Sequence, residues 1–192
     1  MSIATNLEHS AVLIMDYQPA ILRLLQAGKD PLTAKAQNVL TKARELGLRI
    51  IYVNVALREG YPEVSERNKR FSAIKKSQFL KPGAECEPDP SVPPGPNDVL
   101  VQKRRFSAFT GSDLHLVLRA MNITSLILFG VSTSGVVLST VREAGDADYE
   151  MTIIKDLCAD GDAALAEVLF EKVFPVQAAV ITSEEFLQAL QG

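Results

Sequence analysis

The chain has 192 residues, 47% of them hydrophobic, and a formal net charge of −3. This length fits one domain over residues 1–192, and the composition is that of an ordinary soluble globular protein. The small negative charge argues against a general nucleic-acid or membrane-surface binder. Because no apolar run reaches bilayer length and the start has no basic segment followed by an apolar one, we expect a cytoplasmic protein.

The first elements alternate buried strands with amphipathic helices. Residues 11–15 are continuously apolar, as in a parallel strand buried on both faces, and Asp16 follows at the end where open α/β sheets bind ligands. Asp30 and Pro31 predict an N-cap and the first position of a helix, and residues 49–55 predict the second strand. Short connections of this kind favour right-handed crossovers and a three-layer α/β/α sandwich, a Rossmann-like α/β fold.

The segment from residue 57 to residue 102 interrupts this alternation. Residues 67–79 predict a short basic helix, whereas residues 81–98 are too rich in proline for regular structure. Such a long loop is usually functional or part of an interface, but proline also makes a rigid surface excursion easy to order. The sequence leaves both interpretations open.

The third strand, residues 99–101, carries Lys103 just beyond its end. Thr110, with Asp113 three residues later, predicts a capping box that opens a helix through Ala120. Lys103 is therefore expected at the edge of the sheet where ligands bind.

Residues 126–129 predict the fourth strand, which Gly130 ends. The small polar residues 131–135 have the composition of a strand-to-helix turn whose backbone amides point at a negative group. Apolar residues at helical spacing follow over positions 136–141, and residues 151–154 predict a fifth strand.

The remaining chain completes a six-stranded parallel sheet. Asp160 or Asp162 begins a helix, and a sixth strand follows at residues 178–181. Thr182 with Glu185 predicts a capping box for the last helix.

Three stretches of the chain carry recognisable motifs: LIMDYQPAIL, DVLVQKRRFSAFTGSDL, and GVSTSGVV followed by TVREAGDADYEMTIIKD. Together they resemble the isochorismatase-like hydrolases, or cysteine hydrolases, which include isochorismatases, nicotinamidases and carbamoylsarcosine amidohydrolases. The resemblance implies the isochorismatase-like hydrolase fold, a small-molecule substrate and a homo-oligomer. It also implies that Asp16 is the first catalytic position and Lys103 the second. Ser107 and Phe109 become candidate pocket residues, although a phenylalanine there is more often simply part of the core.

One position departs from the family pattern. Many members carry the nucleophile in a sequence like T-S-G-C-V, where this chain reads Thr133-Ser134-Gly135-Val136-Val137. Val136 has no lone pair, so a covalent thioester route through this position is excluded. Isochorismatases also lack the cysteine and hydrolyse a vinyl ether with the help of an acidic side chain. Their usual replacement is glycine, however, whereas valine fills the space that glycine leaves for substrate.

The loop before Val136 can still contribute to a site. The backbone amides of Thr133, Ser134, Gly135 and Val136 are candidates to hold a substrate oxygen, since this role depends on amides and not on side chains. The neighbouring hydroxyls are better explained by loop hydrogen bonding and helix capping than by a substitute nucleophile.

The acid and base candidates gain weight from the resemblance, because Asp16 and Lys103 both lie in motifs that match the family at the expected places. Alone, an aspartate after a strand is more often a turn or helix cap, and a lysine there is usually solvated. A carboxylate and an ammonium in a partly dry crevice hold each other charged, and either can transfer a proton. For Asp16 and Lys103 both to meet the loop at residues 130–136, we favour the strand order 2-1-3-4-5-6, with 3-2-1-4-5-6 as the alternative.

Two functions follow from these residues. The first is hydrolysis of a small molecule by an Asp16 and Lys103 acid–base pair, with Val136 at the position of the usual nucleophile. The second is a catalytically silent family member that binds a metabolite or serves as an interaction partner.

We expect no cofactor and no metal. Cys86 and Cys158 are the only cysteines and have no metal-type spacing, and a disulfide between them is disfavoured in a reducing compartment. Nicotinamidase-like relatives bind a metal through one Asp and two His after the second strand, where this chain reads VNVAL at residues 53–57. A Gly-x-Gly-x-x-Gly turn is missing after the first strand, which disfavours a dinucleotide-binding oxidoreductase.

Overall fold

A parallel sheet forms the middle layer of the protein. The computed structural model describes residues 7–25 and 28–191. In these residues six strands pair in the order β3-β2-β1-β4-β5-β6. The strands are β1 (Ser10–Met15), β2 (Arg49–Val55), β3 (Val99–Lys103), β4 (Ser125–Gly130), β5 (Glu150–Ile154) and β6 (Ala179–Ile181). Every pairing is parallel, which confirms the predicted sheet and α/β class.

Helices cover both faces of the sheet. Their bounds are α1 (Pro19–Leu22), α2 (Asp30–Glu45), α3 (Lys69–Ser77), α4 (Leu114–Ala120), α5 (Leu138–Asp146), α6 (Ala163–Val168) and α7 (Ser183–Ala189). All the helices that the described residues form are too short or too polar to cross a lipid bilayer.

Alternate residues of each central strand pack into different cores. In β1, Leu13 and Met15 belong to the core beneath α4 and α5, whereas Val12 and Ile14 belong to the core beneath α2 and α7. Successive strand side chains point to opposite faces, so a strand covered on both faces needs apolar residues at every position. This double burial explains the continuous apolar run at residues 11–15.

The favoured strand order, 2-1-3-4-5-6, is wrong, and the alternative 3-2-1-4-5-6 is correct. β2 lies between β1 and β3. The prediction assumed that Asp16 and Lys103 could meet only from neighbouring strands. Strands separated by one other strand are about 10 Å apart, which is within the combined reach of an extended lysine and an aspartate. Lys103 Nζ lies 2.9 Å from Asp16 Oδ2, so the lysine side chain crosses the end of β2.

The last two helices begin as the sequence predicts. Asp162 caps α6 by accepting a hydrogen bond from the Leu165 amide at 3.0 Å. At α7 the Thr182 hydroxyl accepts from the Glu185 amide at 3.1 Å, and the Glu185 carboxylate accepts from the Thr182 amide at 2.6 Å. This reciprocal pair is the predicted capping box.

Two other helix starts differ from the prediction. Asp30 lies inside α2, and the N-cap position belongs to Lys29, which makes no side-chain capping bond. The capping box at Thr110 is wrong, because α4 starts at Leu114 and the Thr110 hydroxyl donates to Glu143 at 3.1 Å instead. A tertiary partner on α5 therefore outcompetes the local backbone.

Candidate active site

The candidate site lies at the carboxyl ends of β1 and β4. The chain runs outward from β1 through β2 to β3 and then returns to β4 beside β1. The loops after these two neighbouring strands therefore leave the sheet in opposite directions, which opens the crevice where doubly wound sheets bind ligands.

Asp16 follows β1 directly and turns the chain into this crevice. Its backbone has φ 56°, a left-handed conformation that aspartate tolerates better than most residues. Its amide continues the sheet by donating to the Val53 carbonyl at 2.9 Å, while its Oδ1 accepts from the Val55 amide at 3.0 Å. Bonds at both ends of the residue fix the direction of the carboxylate.

Lys103 is buried, with 1% of its side chain exposed. Its Nζ donates to the carbonyl oxygens of Arg105 at 2.9 Å and Phe106 at 3.1 Å, and it contacts Asp16 Oδ2 at 2.9 Å. Three acceptors match the three protons of an ammonium group. The ammonium is thus oriented by the chain that follows β3 as well as by Asp16.

Burial raises the pKa of the Asp16 carboxyl, and the charge and hydrogen bond of Lys103 only partly oppose that increase. A carboxyl with a raised pKa exchanges its proton more readily near neutral pH than an exposed aspartate does. The geometry and the direction of the pKa shift together suit a proton-transfer group.

The loop after β4 forms the opposite wall of the crevice. The Val131–Ser132 peptide is cis, and a π-helical turn at Thr133–Val137 leads into α5. In this turn the Thr133 amide donates to the Ala159 carbonyl at 2.9 Å, and the Ser134 amide donates to the Asp160 carboxylate at 2.7 Å. The Gly135 amide donates to the Ser132 carbonyl at 3.3 Å, so the amides of Thr133, Ser134 and Gly135 all have protein partners.

A cavity of about 440 Å³ separates the two walls. Asp16, Lys103, Ser134, Gly135 and Val136 all line it, so the structure brings together five of the residues that the sequence singled out. Val136 presents an apolar side chain at the position predicted for the nucleophile.

Three predicted residues lie behind the cavity wall. The ring of Phe109 packs in the core against His115, with centroids 4.4 Å apart, and the Ser107 hydroxyl accepts from the Phe109 amide at 3.2 Å. Thr133 has no exposed surface. Its hydroxyl oxygen is buried without a hydrogen-bond partner in the described part of the chain.

Several lining residues were missed by the sequence interpretation. Phe106, one residue before Ser107, lines the cavity with 41% of its surface exposed and packs against Phe71 of α3 at 5.4 Å between centroids. Arg70, also on α3, lines the mouth. The basic character of residues 67–79 was visible in the sequence, but nothing local shows that this helix covers the cavity.

The segment at residues 57–98 divides into two parts. Ile74, Phe79 and Leu80 line the cavity with the α3 residues. The proline-rich part is instead anchored to the body of the protein, where Asp89 accepts from Lys29 at 2.7 Å and Val92 is fully buried. The helical part therefore lines the candidate site, and the proline-rich part forms an ordered surface loop.

Neither cysteine lines the cavity. Cys158 Sγ donates to the Ile154 carbonyl at 3.4 Å, and Cys86 Sγ donates to the Lys81 carbonyl at 3.0 Å. Burial raises the pKa of the Cys158 thiol to about 12 and that of the Cys86 thiol to about 11. Both thiols are therefore poor nucleophiles, since the thiolate is the reactive form.

The described residues contain no group of three His, Cys, Asp or Glu side chains that could hold a metal ion. The nearest carboxylate to the loop, Asp160, is occupied by the amide and hydroxyl of Ser134, both at 2.7 Å. The acidic side chains that line the cavity, Asp16 and Asp160, are thus engaged by Lys103 and Ser134 rather than arranged as a ligand cage.

Comparison with known proteins agrees with the motifs. Residues 10–185 match the family described as Isochorismatase domain. The uncharacterised isochorismatase family protein YwoC of Bacillus subtilis is 28% identical over 97% of this chain and 96% of its own length. Ureidoacrylate amidohydrolase RutB of Stutzerimonas stutzeri is 27% identical over 80% of this chain and 71% of its own length. A cysteine hydrolase from Pseudomonas syringae pv. phaseolicola superposes with a TM-score of 0.88 at 21% identity, covering 97% of this chain and 94% of that one. The chain belongs to the isochorismatase family.

Proposed function

We propose that the protein is a thiol-independent hydrolase of a small molecule, in which Asp16 transfers the proton and Lys103 orients Asp16. The observation that carries this proposal is the buried pair itself, with Nζ and Oδ2 2.9 Å apart in the wall of a cavity. A buried ion pair gives little net stability compared with apolar residues of similar volume, so stability alone explains it poorly.

Water supplies the nucleophile in this proposal, because Val136 cannot. The Asp16 carboxylate takes one proton from a water molecule as the water oxygen bonds to an electrophilic carbon of the substrate. The bond from that carbon to the leaving group then breaks, and the proton passes from Asp16 to the leaving atom. Asp16 returns to its carboxylate form, and no oxidant or cofactor is consumed.

A substrate oxygen that gains negative charge needs donors in the wall opposite Asp16. The Thr133 and Ser134 amides are engaged at 2.9 Å and 2.7 Å, whereas the Gly135 amide donates to the Ser132 carbonyl over a longer 3.3 Å. The longer bond is the weakest of the three, so we assign the Gly135 amide as the first to transfer to a substrate oxygen.

The similarity to ureidoacrylate amidohydrolase supports hydrolysis of an amide-type carbon–nitrogen bond as the first reaction class to test. Without a thiol, the water must attack the substrate directly. This route is slower than thiol catalysis for simple amides, so an activated amide or a carbamoyl compound is a better candidate than an unactivated amide.

The alternative function is ligand binding without turnover. The specific observation in its favour is the apolar Val136 side chain in the cavity wall, together with the distance of both cysteines from the cavity. A family member with valine at this position can retain the ligand-binding pocket and lose catalytic activity.

A hydrolysis screen of the purified protein distinguishes the two functions. The panel contains isochorismate, nicotinamide, carbamoyl compounds and simple amides, each measured with the parent and with Asp16→Asn. We expect turnover of at least one compound and its loss in the variant. A variant that turns over the same compound as fast as the parent would show that Asp16 is not the proton-transfer group.

A further inference from the structure

The mouth of the cavity carries a cation without a partner. Arg70 lies in the first turn of α3, lines the cavity and is exposed. Within residues 7–25 and 28–191 its side chain makes no ion pair or hydrogen bond. Its five donors are therefore free to bind an acceptor that enters from solvent.

A second arginine, Arg105, lines the same cavity but is already held in place. Arg105 donates to the carbonyl oxygens of Arg104 and Glu63, both at 2.6 Å, and its guanidinium lies 5.1 Å from the centre of the Phe71 ring. These contacts fix the positive charge of Arg105 beside the cavity. Its side chain therefore loses little further entropy when a ligand binds.

The remaining charges of the cavity lining are used within the protein. Asp16 is paired with Lys103, and Asp160 accepts two hydrogen bonds from Ser134. Even when Asp160 is counted as fully negative, the two arginines leave the lining with an excess of positive charge. A cavity lined in this way attracts an anion.

Most of the other lining side chains are apolar. They include Ile21, Leu24, Phe71, Phe79, Phe106 and Val136. A ligand that fits both features has a compact apolar or unsaturated body and one anionic end. Planar carboxylate matches the fork of an arginine guanidinium in two parallel hydrogen bonds.

We propose that Arg70 is the specificity-determining residue of this cavity and binds the carboxylate of a small carboxylic acid. Arg105 adds the fixed positive field, and the aromatic side chains enclose the body of the molecule. The inference rests on the proposed function for the identity of the site, but carboxylate binding needs no turnover and is tested without it.

The experiment measures binding of matched pairs of small molecules, each a carboxylate and its neutral carboxamide: benzoate with benzamide, cinnamate with cinnamamide, and crotonate with crotonamide. Affinities are obtained by ligand-observed NMR titration for the parent, Arg70→Gln, Arg70→Lys and Arg67→Gln. Arg67→Gln is the matched control, because Arg67 is exposed and outside the cavity lining yet loses the same charge.

We expect the parent to bind at least one carboxylate about tenfold or more tightly than its amide, the effect of one charge-assisted hydrogen bond. Arg70→Gln should remove this preference and leave carboxamide affinity unchanged. Arg70→Lys should restore part of it, and Arg67→Gln should keep all of it. A parent without preference for any carboxylate, or an Arg70→Gln variant that retains the preference, would overturn the inference.

The outcomes separate this inference from the proposed function. Carboxylate preference that depends on Arg70, in a protein that hydrolyses nothing, supports the subsite and counts against hydrolysis. Hydrolysis of anionic substrates with kcat/KM unchanged in Arg70→Gln supports the hydrolase and overturns the subsite.

Discussion

Two aspartates in this protein have nearly the same sequence setting and different roles. Asp16 follows β1 and Asp156 follows β5, and each pairs with a lysine, at 2.9 Å and 3.0 Å. The first pair is almost completely buried, whereas side chains of the second are 25% and 55% exposed. The difference shows that position within the layers, and not the residue type after a strand, determines what a carboxylate can do.

The two carboxyl groups also differ in their hydrogen bonds. Asp156 accepts from the amide and hydroxyl of Ser183 at 2.6 Å and 2.7 Å, which joins β5 to the start of α7. Burial raises the pKa of Asp156, but these bonds and Lys35 outweigh it and hold the pKa below its usual value. Asp16 is more deeply buried than Asp156 and accepts fewer hydrogen bonds, so the pKa of its carboxyl group is raised. We therefore expect Asp156 to stay ionised as a structural anchor, and we propose Asp16 as the group that exchanges a proton.

The largest expected effect separates the two aspartates by activity. Asp16→Asn should lower kcat/KM for any hydrolysed substrate by about 10²- to 10⁴-fold, the usual contribution of a general acid or base. Asp156→Asn should change it little, because Asp156 does not line the active-site cavity. Steady-state kinetics on both variants checks this. Equal losses in the two would contradict the distinction.

Replacing the lysine of each ion pair compares how much the two pairs contribute to the free energy of unfolding. Lys103→Met leaves the Asp16 carboxylate and two carbonyl groups buried without their donor, and it should cost about 3–5 kcal/mol in the free energy of unfolding. Lys35→Met breaks a half-exposed pair and should cost about 0–1 kcal/mol. Urea denaturation measures both. If the double variant Asp16→Asn with Lys103→Met is no more stable than Lys103→Met alone, the uncompensated charge is not the cause.

The pH dependence of stability should have opposite signs for the two carboxyl groups. The raised pKa of Asp16 means that folding binds its proton more tightly, so its contribution is present below the ordinary value of 3.8 and is lost as pH rises through the raised value. The lowered pKa of Asp156 gives a contribution present above 3.8 that is lost as pH falls through the lowered value. Urea unfolding of the parent, Asp16→Asn and Asp156→Asn across acidic pH measures the two differences. Slopes of the same sign would be inconsistent with this assignment.

The same raised pKa predicts the shape of the activity profile. A base that must be ionised loses activity as pH falls through its pKa, so the acid limb of kcat/KM should lie above pH 3.8. The measurement is a pH profile of kcat/KM with the best substrate of the screen. An acid limb below that value would show that another group carries the proton.

The smallest expected change tests the opposite wall of the cavity. Val136 lines the cavity although only 1% of its surface is exposed, whereas Val137 is fully buried and does not line it, so Val136→Cys should place a thiol in the cavity wall and Val137→Cys should bury one in the core. We expect iodoacetamide to label Val136→Cys at least about tenfold faster than the native cysteines, whose thiol pKa values are raised to about 11 and 12. Mass spectrometry of labelled peptides identifies the site. Equal labelling of the two variants would place Val136 outside the accessible wall.

The sequence predicted the architecture well because the central strands are buried on both faces. Continuous apolar runs such as residues 11–15 and 126–129 leave few alternatives to a parallel sheet covered by helices. The capping box at Thr182 was also predictable, because its two partners are three residues apart. Thr110 has a similar local pattern, but its hydroxyl binds Glu143 on another helix. Local patterns therefore predict correctly where no distant partner competes for the same group.

The site was predicted only where it coincides with strand ends. Asp16, Lys103 and the loop before Val136 follow strands whose carboxyl ends share one edge of the sheet, so their proximity follows from the fold class. Ser107 and Phe109 were expected in the pocket, yet Phe106 is the neighbour that lines it. After β3 the chain leaves regular structure, and no periodicity indicates which side chain faces the cavity.

The amino-acid sequence by itself determined the α/β class, the sheet of parallel strands, the family and the absence of a thiol at position 136. Each of these depends on residue identity or on short-range periodicity. Only the tertiary structure decided the strand order, the reach of Lys103 across β2 and the placement of Arg70 at the cavity mouth. These features depend on contacts between segments far apart in the chain. The length of the lysine side chain allows it to reach across β2, and the packing of α3 places Arg70 at the cavity.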